Sequence, residues 1–259
     1  MNRTGLLIAL GIAVVTGLAF GIYPDLDLRV ARYFYAVTDG SNNFAWRISP
    51  PLMLARDAGL WVGTLIIIPV LAALVWKLIL PRHKLLMSGR AILFLIATLA
   101  LGPGLFVNVV LKDHWGRSRP IDVAQFGGTE HFVAWWDPRG DCPNNCSFVS
   151  GDVSGAFWTI APAVLVPPPL RAVAVGAALA LGTGMAVMRV MAGGHFVSDV
   201  VFAGVFTFLI IWLAHGLIYR WPRTRLSDEG TERAIERVAM PGHNLLVRLF
   251  GGKPNATPK

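Results

Sequence analysis

Residues Ala91 to Pro120 read AILFLIATLALGPGLFVNVVLKDHWGRSRP. An apolar run ends at Leu111, and Lys112, Asp113, His114, Arg117 and Arg119 follow within eight positions. The run has the roughly 20-residue length that a helix needs to cross a hydrocarbon core of about 30 Å. The charges at its end have two readings, a solvated loop or a site for an anion. The run has the pattern of a membrane span, and the rest of the chain repeats that pattern.

The chain is 54% hydrophobic and 15% charged, whereas a soluble domain carries about 25% charged residues. Mean hydropathy is +0.57. Apolar segments recur near 5–23, 58–80, 91–111, 153–166, 171–188 and 200–219. No polar linker separates them. The pattern predicts an all-α polytopic membrane protein with six transmembrane helices in one bundle. On this reading residues 1–259 form a single domain, with a core at about 91–220 and a basic tail at about 221–259. The fourth segment is short and contains Pro162, and VPPPLR at 166–171 makes the next connection tight. The segment after Arg3 is long for a signal-peptide core, and YPDLDLRV offers no small-residue cleavage pattern, so it reads as a retained span.

The net charge is +8. Many of the basic residues lie in short segments beside apolar spans, a pattern of membrane topology and anionic lipid contact. No basic tract interleaved with aromatics suggests nucleic acid as a partner. Arg3, the group Lys77, Arg82, Lys84 and Arg90, and the start of the tail after the last span set the cytoplasmic side. Both termini then lie inside, and 24–57, 112–152 and 189–199 face outward. The outward lysine and arginines work against this topology signal, so they need another reason to be there. PDLDLRVARYFYAV (24–37) and EGTERAIERVAMPGHNLLVRLF (229–250) both read as amphipathic helices lying in the interface.

Cys142 and Cys146 lie on the outward loop, where two nearby thiols favour a disulfide; two reduced thiols are the other reading. A closed structural zinc site wants four ligands and is not expected. Three polar clusters then share the outward face: KDHWGRSRP, SFVSGDVSG and MRVMAGGHFVSD. Lys112, Arg119 and Arg189 suit a phosphoryl group, since the arginine fork matches phosphate oxygens. Ser150 and Gly151 open the fourth helix, whose first N–H groups favour anions. Each basic residue alone would pass as a snorkelling anchor. His195 follows two glycines, and Asp199 lies one helical turn further on. The carboxylate could accept the imidazole N–H and orient the other nitrogen, or the pair could be an ordinary interface hydrogen bond.

Together these residues resemble the three-part signature of the type 2 phosphatidic acid phosphatase family. The signature here is Lys112, Arg119 and Pro120, then Ser150-Gly151 and a polar residue, then Arg189, His195 and Asp199. The resemblance covers about 91–220, and the six-helix layout matches the family's membrane branch. It implies that His195 attacks phosphorus to form a phosphohistidine and that Asp199 orients it. It also implies that Lys112, Arg119, Arg189, Ser150 and a backbone N–H hold the phosphoryl oxygens, with no metal or other cofactor. The family's second motif ends in a histidine that acts as general acid, and here Asp152 stands there. A protonated Asp152 could donate, but three cationic neighbours oppose its protonation. His114 is a second candidate donor, and bulk water a third.

GRSRPIDVAQFGGTEHF and the CPNNCSFVSG run are most similar to the bacterial lipid A phosphatases, the 4′-phosphatase branch above all. Trp115, Trp135 and Trp136 could line a way in for a large lipid, or form an ordinary aromatic belt. The expectation is a lipid phosphatase of the bacterial inner membrane with a periplasmic site, acting on lipid A or its precursor. Alternatives are a lipid A 1-phosphatase, an undecaprenyl-diphosphate phosphatase, a lipid phosphotransferase, or a non-enzymatic protein that binds lipid phosphates.

Overall fold

The computed structural model describes residues 3–38 and 41–249, without the side chains of 37, 38, 41–43 and 246. The end of the expected basic tail, 250–259, lies outside the described residues. Helices dominate, as the apolar segments predict. They are α1 (Arg3–Ile22), α2 (Asp25–Phe34), α3 (Pro50–Ile79), α4 (Gly89–His114), α5 (Gly151–Trp158), α6 (Ile160–Ala163), α7 (Pro168–Met191), α8 (Val197–Arg220) and α9 (Asp228–Leu249).

Five of them, α1, α3, α4, α7 and α8, are long and apolar enough to cross a membrane. Their outer faces expose residues such as Leu7 (67%), Val15 (68%) and Val173 (71%), as expected where lipid is the solvent. The expected fourth segment differs: it is split into α5 and α6. Pro162 has no N–H to complete the turn, and Thr159 bends the chain as its hydroxyl donates to the Ala156 carbonyl at 2.6 Å. This segment is buried instead of lipid-exposed, with Val153, Ala156, Trp158 and Ala161 at 3% exposure or less.

The amphipathic helix expected over 24–37 stops at Phe34. Tyr35–Thr38 and Ser41–Phe44 pair as a short antiparallel hairpin, β1 and β2, in line with the strand preference of Tyr35, Val37 and Thr38. Asp25 and Asp27 occupy the first turn of α2, where negative charge complements the helix dipole. Asp27 and Ala31, one turn apart, form its buried side. Pro103 lies inside α4, and the stretch Ala100–Leu111 is wound as a π-helix.

The chain divides into two compact units. One comprises Met1–Gly63 and Thr98–Trp212. Its core packs Val107, Leu111, Phe148, Val149, Val153, Met185 and Phe202. A second cluster joins Ala31, Phe44, Val123, Phe126 and Phe196. The other unit comprises Thr64–Ala97 and Leu213–Lys259. There Lys77, only 2% exposed, pairs with Glu232 at 2.9 Å, and Arg90 pairs with Asp228 at 2.7 Å. These pairs fix the start of α9, the amphipathic helix expected near the C-terminus.

Candidate active site

The outward stretch 115–150 is irregular chain that needs internal support, and a buried arginine supplies it. Arg117 is fully buried. Its Nη2 donates to Asp27 Oδ2 at 2.8 Å, its Nη1 to Ser198 Oγ at 2.7 Å and to Asp199 Oδ1, and its Nε to the Val133 carbonyl at 3.1 Å. The guanidinium lies 4.6 Å from the centre of the Phe196 ring, a cation–π geometry. Asp27 also accepts from the Ser198 N–H at 3.0 Å and from its hydroxyl at 2.5 Å. A buried charge is tolerated only when paired and hydrogen-bonded, and here every partner is in place. The network ties α2 and the 115–150 stretch to the start of α8.

Asp199 is the far end of this network. Its Oδ2 accepts from Ser147 Oγ at 2.6 Å and from the Phe196 N–H at 2.9 Å. The direct hydrogen bond expected between His195 and Asp199 is not formed, for His195 Nδ1 lies 4.0 Å from Asp199 Oδ2. Both carboxylate oxygens are already taken by stronger local donors. His195 Nδ1 instead lies 2.7 Å from the main-chain carbonyl of Ser147. A carbonyl can only accept, so Nδ1 carries the proton and Nε2 keeps its lone pair. Asp199 is linked to the imidazole through Ser147, whose hydroxyl donates to Asp199 Oδ2 and whose carbonyl accepts from His195 Nδ1. His195 is 1% exposed. Burial, and then the charges of Arg189, Arg119 and Lys112, hold the imidazole well below its ordinary pKa of 6.5.

The expected phosphate ligands converge around this histidine. Arg189, near the end of α7, packs its guanidinium over the turn that holds His195. A Cβ at Gly194 would lie 2.5 Å from Arg189 Nη2, so a side chain there would displace the guanidinium from this position. Arg189 Nε lies 3.3 Å from Asp152 Oδ2. Ser150 caps α5, its hydroxyl accepting from the Val153 N–H at 3.5 Å, which leaves its own O–H to donate. Gly151 is pressed close to α4: a Cβ there would meet Asn108 Oδ1 at 2.6 Å and Lys112 Nζ at 3.6 Å. Lys112 and Arg119 meet at Asn145. Lys112 Nζ donates to Asn145 Oδ1 at 2.8 Å, and Arg119 Nη2 donates to the same oxygen at 3.0 Å and to the Asn145 carbonyl at 2.7 Å. Lys112, Arg119, Asp152 and Arg189 are half-buried, so the cluster grades from a buried imidazole to accessible cations.

Asp152 is an ion-paired carboxylate. Arg56, on the first turns of α3, donates from Nε to Asp152 Oδ2 at 2.8 Å. Burial pushes the Asp152 carboxyl up, but the Arg56 hydrogen bond and the charges of Arg189, Arg56 and Lys112 together outweigh it. The carboxyl is held below its ordinary value. His114 turns away, its Nδ1 donating to the Val109 and Val110 carbonyls of its own helix at 3.1 and 3.2 Å.

Two of the three tryptophans expected along a lipid path are packing residues. Trp115 stacks on Phe148 with centroids 4.9 Å apart and donates to the Trp135 carbonyl at 2.7 Å. Trp135 packs on Phe202 at 4.5 Å. Their large apolar faces found core partners, and only Trp136 is exposed, at 53%. Cys142 and Cys146 are disulfide-bonded, with Cα atoms 5.7 Å apart.

Sequence reasoning passed over Arg117, Asp27, Ser147, Asn145 and Arg56. Asp27 carried a signal, because it shares the apolar side of α2 with Ala31. Asn145 carried a weaker one, since asparagine tolerates positive φ in turns and its φ is 49°. Arg56 carried none.

The family model described as PAP2 superfamily matches residues 91–225. Three curated proteins, each described as lipid A 4′-phosphatase, are similar to this chain. The protein from Francisella tularensis subsp. novicida (strain U112) is 35% identical over 221 residues, 85% of this chain and 98% of its own length. That from Rhizobium leguminosarum is 37% identical over 209 residues, 75% of this chain and 88% of its own. That from Rhizobium etli is 34% identical over 191 residues, 70% of this chain and 74% of its own. No solved structure matches the chain.

Proposed function

The chain belongs to the PAP2 superfamily, and on that premise we propose that it is a lipid phosphatase that removes the 4′-phosphate of lipid A through a phosphohistidine on His195. The observation that carries this reading is the tautomer of His195. Its Nδ1 proton is committed to the Ser147 carbonyl at 2.7 Å, which leaves Nε2 as a neutral nucleophile amid Lys112, Arg119 and Arg189.

In the first step Nε2 attacks phosphorus and the bond from phosphorus to the sugar oxygen breaks. The developing imidazolium keeps its Nδ1–H on the Ser147 carbonyl. Lys112, Arg119, Arg189, the Ser150 hydroxyl and the N-terminal N–H groups of α5 take the phosphoryl oxygens, whose charge they are placed to stabilise. The sugar oxygen leaves and takes its proton from water. In the second step water attacks phosphorus, the P–N bond breaks, and phosphate leaves with His195 restored.

Asp152 is given a positioning task. As an ionised carboxylate between Arg56 and Arg189 it holds both guanidiniums, and an ionised group cannot deliver a proton. Asp199 keeps Ser147 and Arg117 in register under the imidazole.

The apolar helices make this a membrane protein. We place it in the bacterial inner membrane with six crossings, the segment 153–166 making the one that α5 and α6 interrupt. Its active site then faces the periplasm and both termini face the cytoplasm. The whole chain acts as one phosphatase domain.

The test is to incubate the purified protein with lipid A phosphorylated at both the 1 and 4′ positions, and to follow free phosphate and the product by fragmentation mass spectrometry. Loss of the 4′-phosphate alone is expected. Loss of the 1-phosphate, turnover only of polyprenyl diphosphate, or transfer to a second lipid would replace this reading with one of those activities. Tight binding of lipid A without phosphate release would make it a binding protein.

A further inference from the structure

The loop that follows the disulfide's first cysteine is short and tied at several points. The Cys142 N–H donates to the Gly116 carbonyl at 3.1 Å and the Cys146 N–H to the Lys112 carbonyl at 2.9 Å. The Asn145 N–H donates to Asp113 Oδ1 at 3.3 Å. The Cys142–Cys146 bond closes this loop across the four-residue separation. Asn145 is the residue before Cys146, held at positive φ, and its oxygens face Lys112 and Arg119.

Lys112 and Arg119 are two like charges on long, rotatable side chains. Left alone they would repel and occupy many rotamers, so bringing them to one anion would cost conformational entropy. The Asn145 side-chain oxygen accepts from both, at 2.8 and 3.0 Å, and its carbonyl accepts from Arg119 again at 2.7 Å. An amide oxygen has two lone pairs, which matches two donors. Lysine has three N–H bonds and arginine five, so both keep donors for a phosphoryl group after bonding Asn145.

We propose that Asn145, presented by the disulfide-closed loop, is a positioning residue that holds Lys112 and Arg119 converged for a phosphoryl group. The claim rests on the phosphatase reading for its biological meaning, but it concerns anion affinity and can be measured without turnover. The disulfide then acts through Asn145: it fixes the loop that carries the amide and adds no contact of its own to the anion.

The experiment compares the full-length protein in detergent with Asn145→Gly, Asn145→Asp, a Cys142→Ser/Cys146→Ser pair and the combination of that pair with Asn145→Gly. Glycine suits the positive φ, so the first variant removes the amide and leaves the backbone able to fold as before. Calorimetric binding of inorganic phosphate is the first readout, and KM and kcat on lipid A are the second. Asn145→Gly is expected to weaken phosphate binding and to lower kcat/KM by roughly tenfold or more, with the thermal midpoint little changed. Asn145→Asp is expected to weaken phosphate binding further, because a carboxylate stays bound to both cations and competes. The serine pair is expected to weaken binding in the same direction, and adding it to Asn145→Gly should bring little further loss.

Phosphate binding unchanged in Asn145→Gly would overturn the proposal. So would a serine-pair effect that multiplies in full with that of Asn145→Gly, which would show the disulfide acting elsewhere. A wild-type protein that binds no phosphate would overturn it as well. Phosphate binding that depends on Asn145, in a protein that releases nothing from lipid A, would uphold this inference and remove the phosphatase reading instead.

Discussion

His195 Nδ1 sits 2.7 Å from the Ser147 carbonyl oxygen and 4.0 Å from Asp199 Oδ2. The carbonyl, not the carboxylate, fixes the tautomer of the proposed nucleophile. Asp199→Asn therefore should not act as a simple loss of a charge partner. It should disturb Ser147 and leave Arg117 short of a counter-charge, lowering kcat together with stability. A thermal unfolding curve in detergent beside initial rates checks this; a variant of normal stability with only kcat reduced would place Asp199 in direct contact with the imidazole.

The imidazole of His195 is held well below its ordinary pKa by burial and by Arg189, Arg119 and Lys112. A lowered pKa keeps the ring neutral, and Nε2 available, at pH values where a free histidine is already protonated. The acid limb of the kcat/KM profile should thus lie below the ordinary histidine value near pH 6.5. A profile that begins to fall as pH drops through 7 would contradict the assignment.

Asp152 stays ionised because Arg56 and Arg189 outweigh its burial. Its carboxyl has already lost its proton at the pH of any ordinary assay, so its titration should produce no fall in rate as pH rises. Asp152→Asn should raise KM and slow sugar phosphates and aryl phosphates by similar factors, through misplaced arginines. A general acid is worth about 10²–10⁴-fold where the leaving group needs a proton. A selective loss of that size on the sugar phosphate, with the aryl phosphate spared, would return the proton-donor role to Asp152.

Arg117 is the deepest charge in the 115–150 stretch, with two carboxylates, a serine hydroxyl and a carbonyl as partners. Removing one member of such a buried set leaves the others unpaired and costs about 3–5 kcal/mol. Arg117→Met should unfold at markedly lower temperature in detergent. Stability equal to wild type would mean that the network is dispensable.

The sequence carried five of the membrane helices plainly, because their apolar runs are long and end beside charges, as Ala91–Leu111 does before Lys112. It also carried the residues of the candidate site, since Lys112, Arg119, Ser150, Arg189 and His195 are polar groups that the topology does not explain. It did not carry their supports. Arg117 lies two positions before Arg119 and looks equally suited to an anion, yet the fold turns it inward to Asp27, a residue 90 positions away. Nothing local encodes a pairing of that range. Trp115 and Trp135 were ambiguous for a related reason: an aromatic ring fits a membrane interface and a core equally well, and here both pack on Phe148 and Trp135 also on Phe202. The broken segment 151–163 kept its apolar pattern while Thr159 and Pro162 divided it, so hydropathy saw one helix where backbone chemistry allows two.

The most direct test of the account is to trap the covalent intermediate. Purified protein is mixed with lipid A labelled in the 4′-phosphate, quenched within the first turnover under conditions that preserve acid-labile phosphate, and digested for peptide mapping. The account predicts label on the peptide bearing His195, absent in His195→Ala, with the 1-phosphate retained in the lipid product. Label on another residue, or full turnover by His195→Ala, would contradict it.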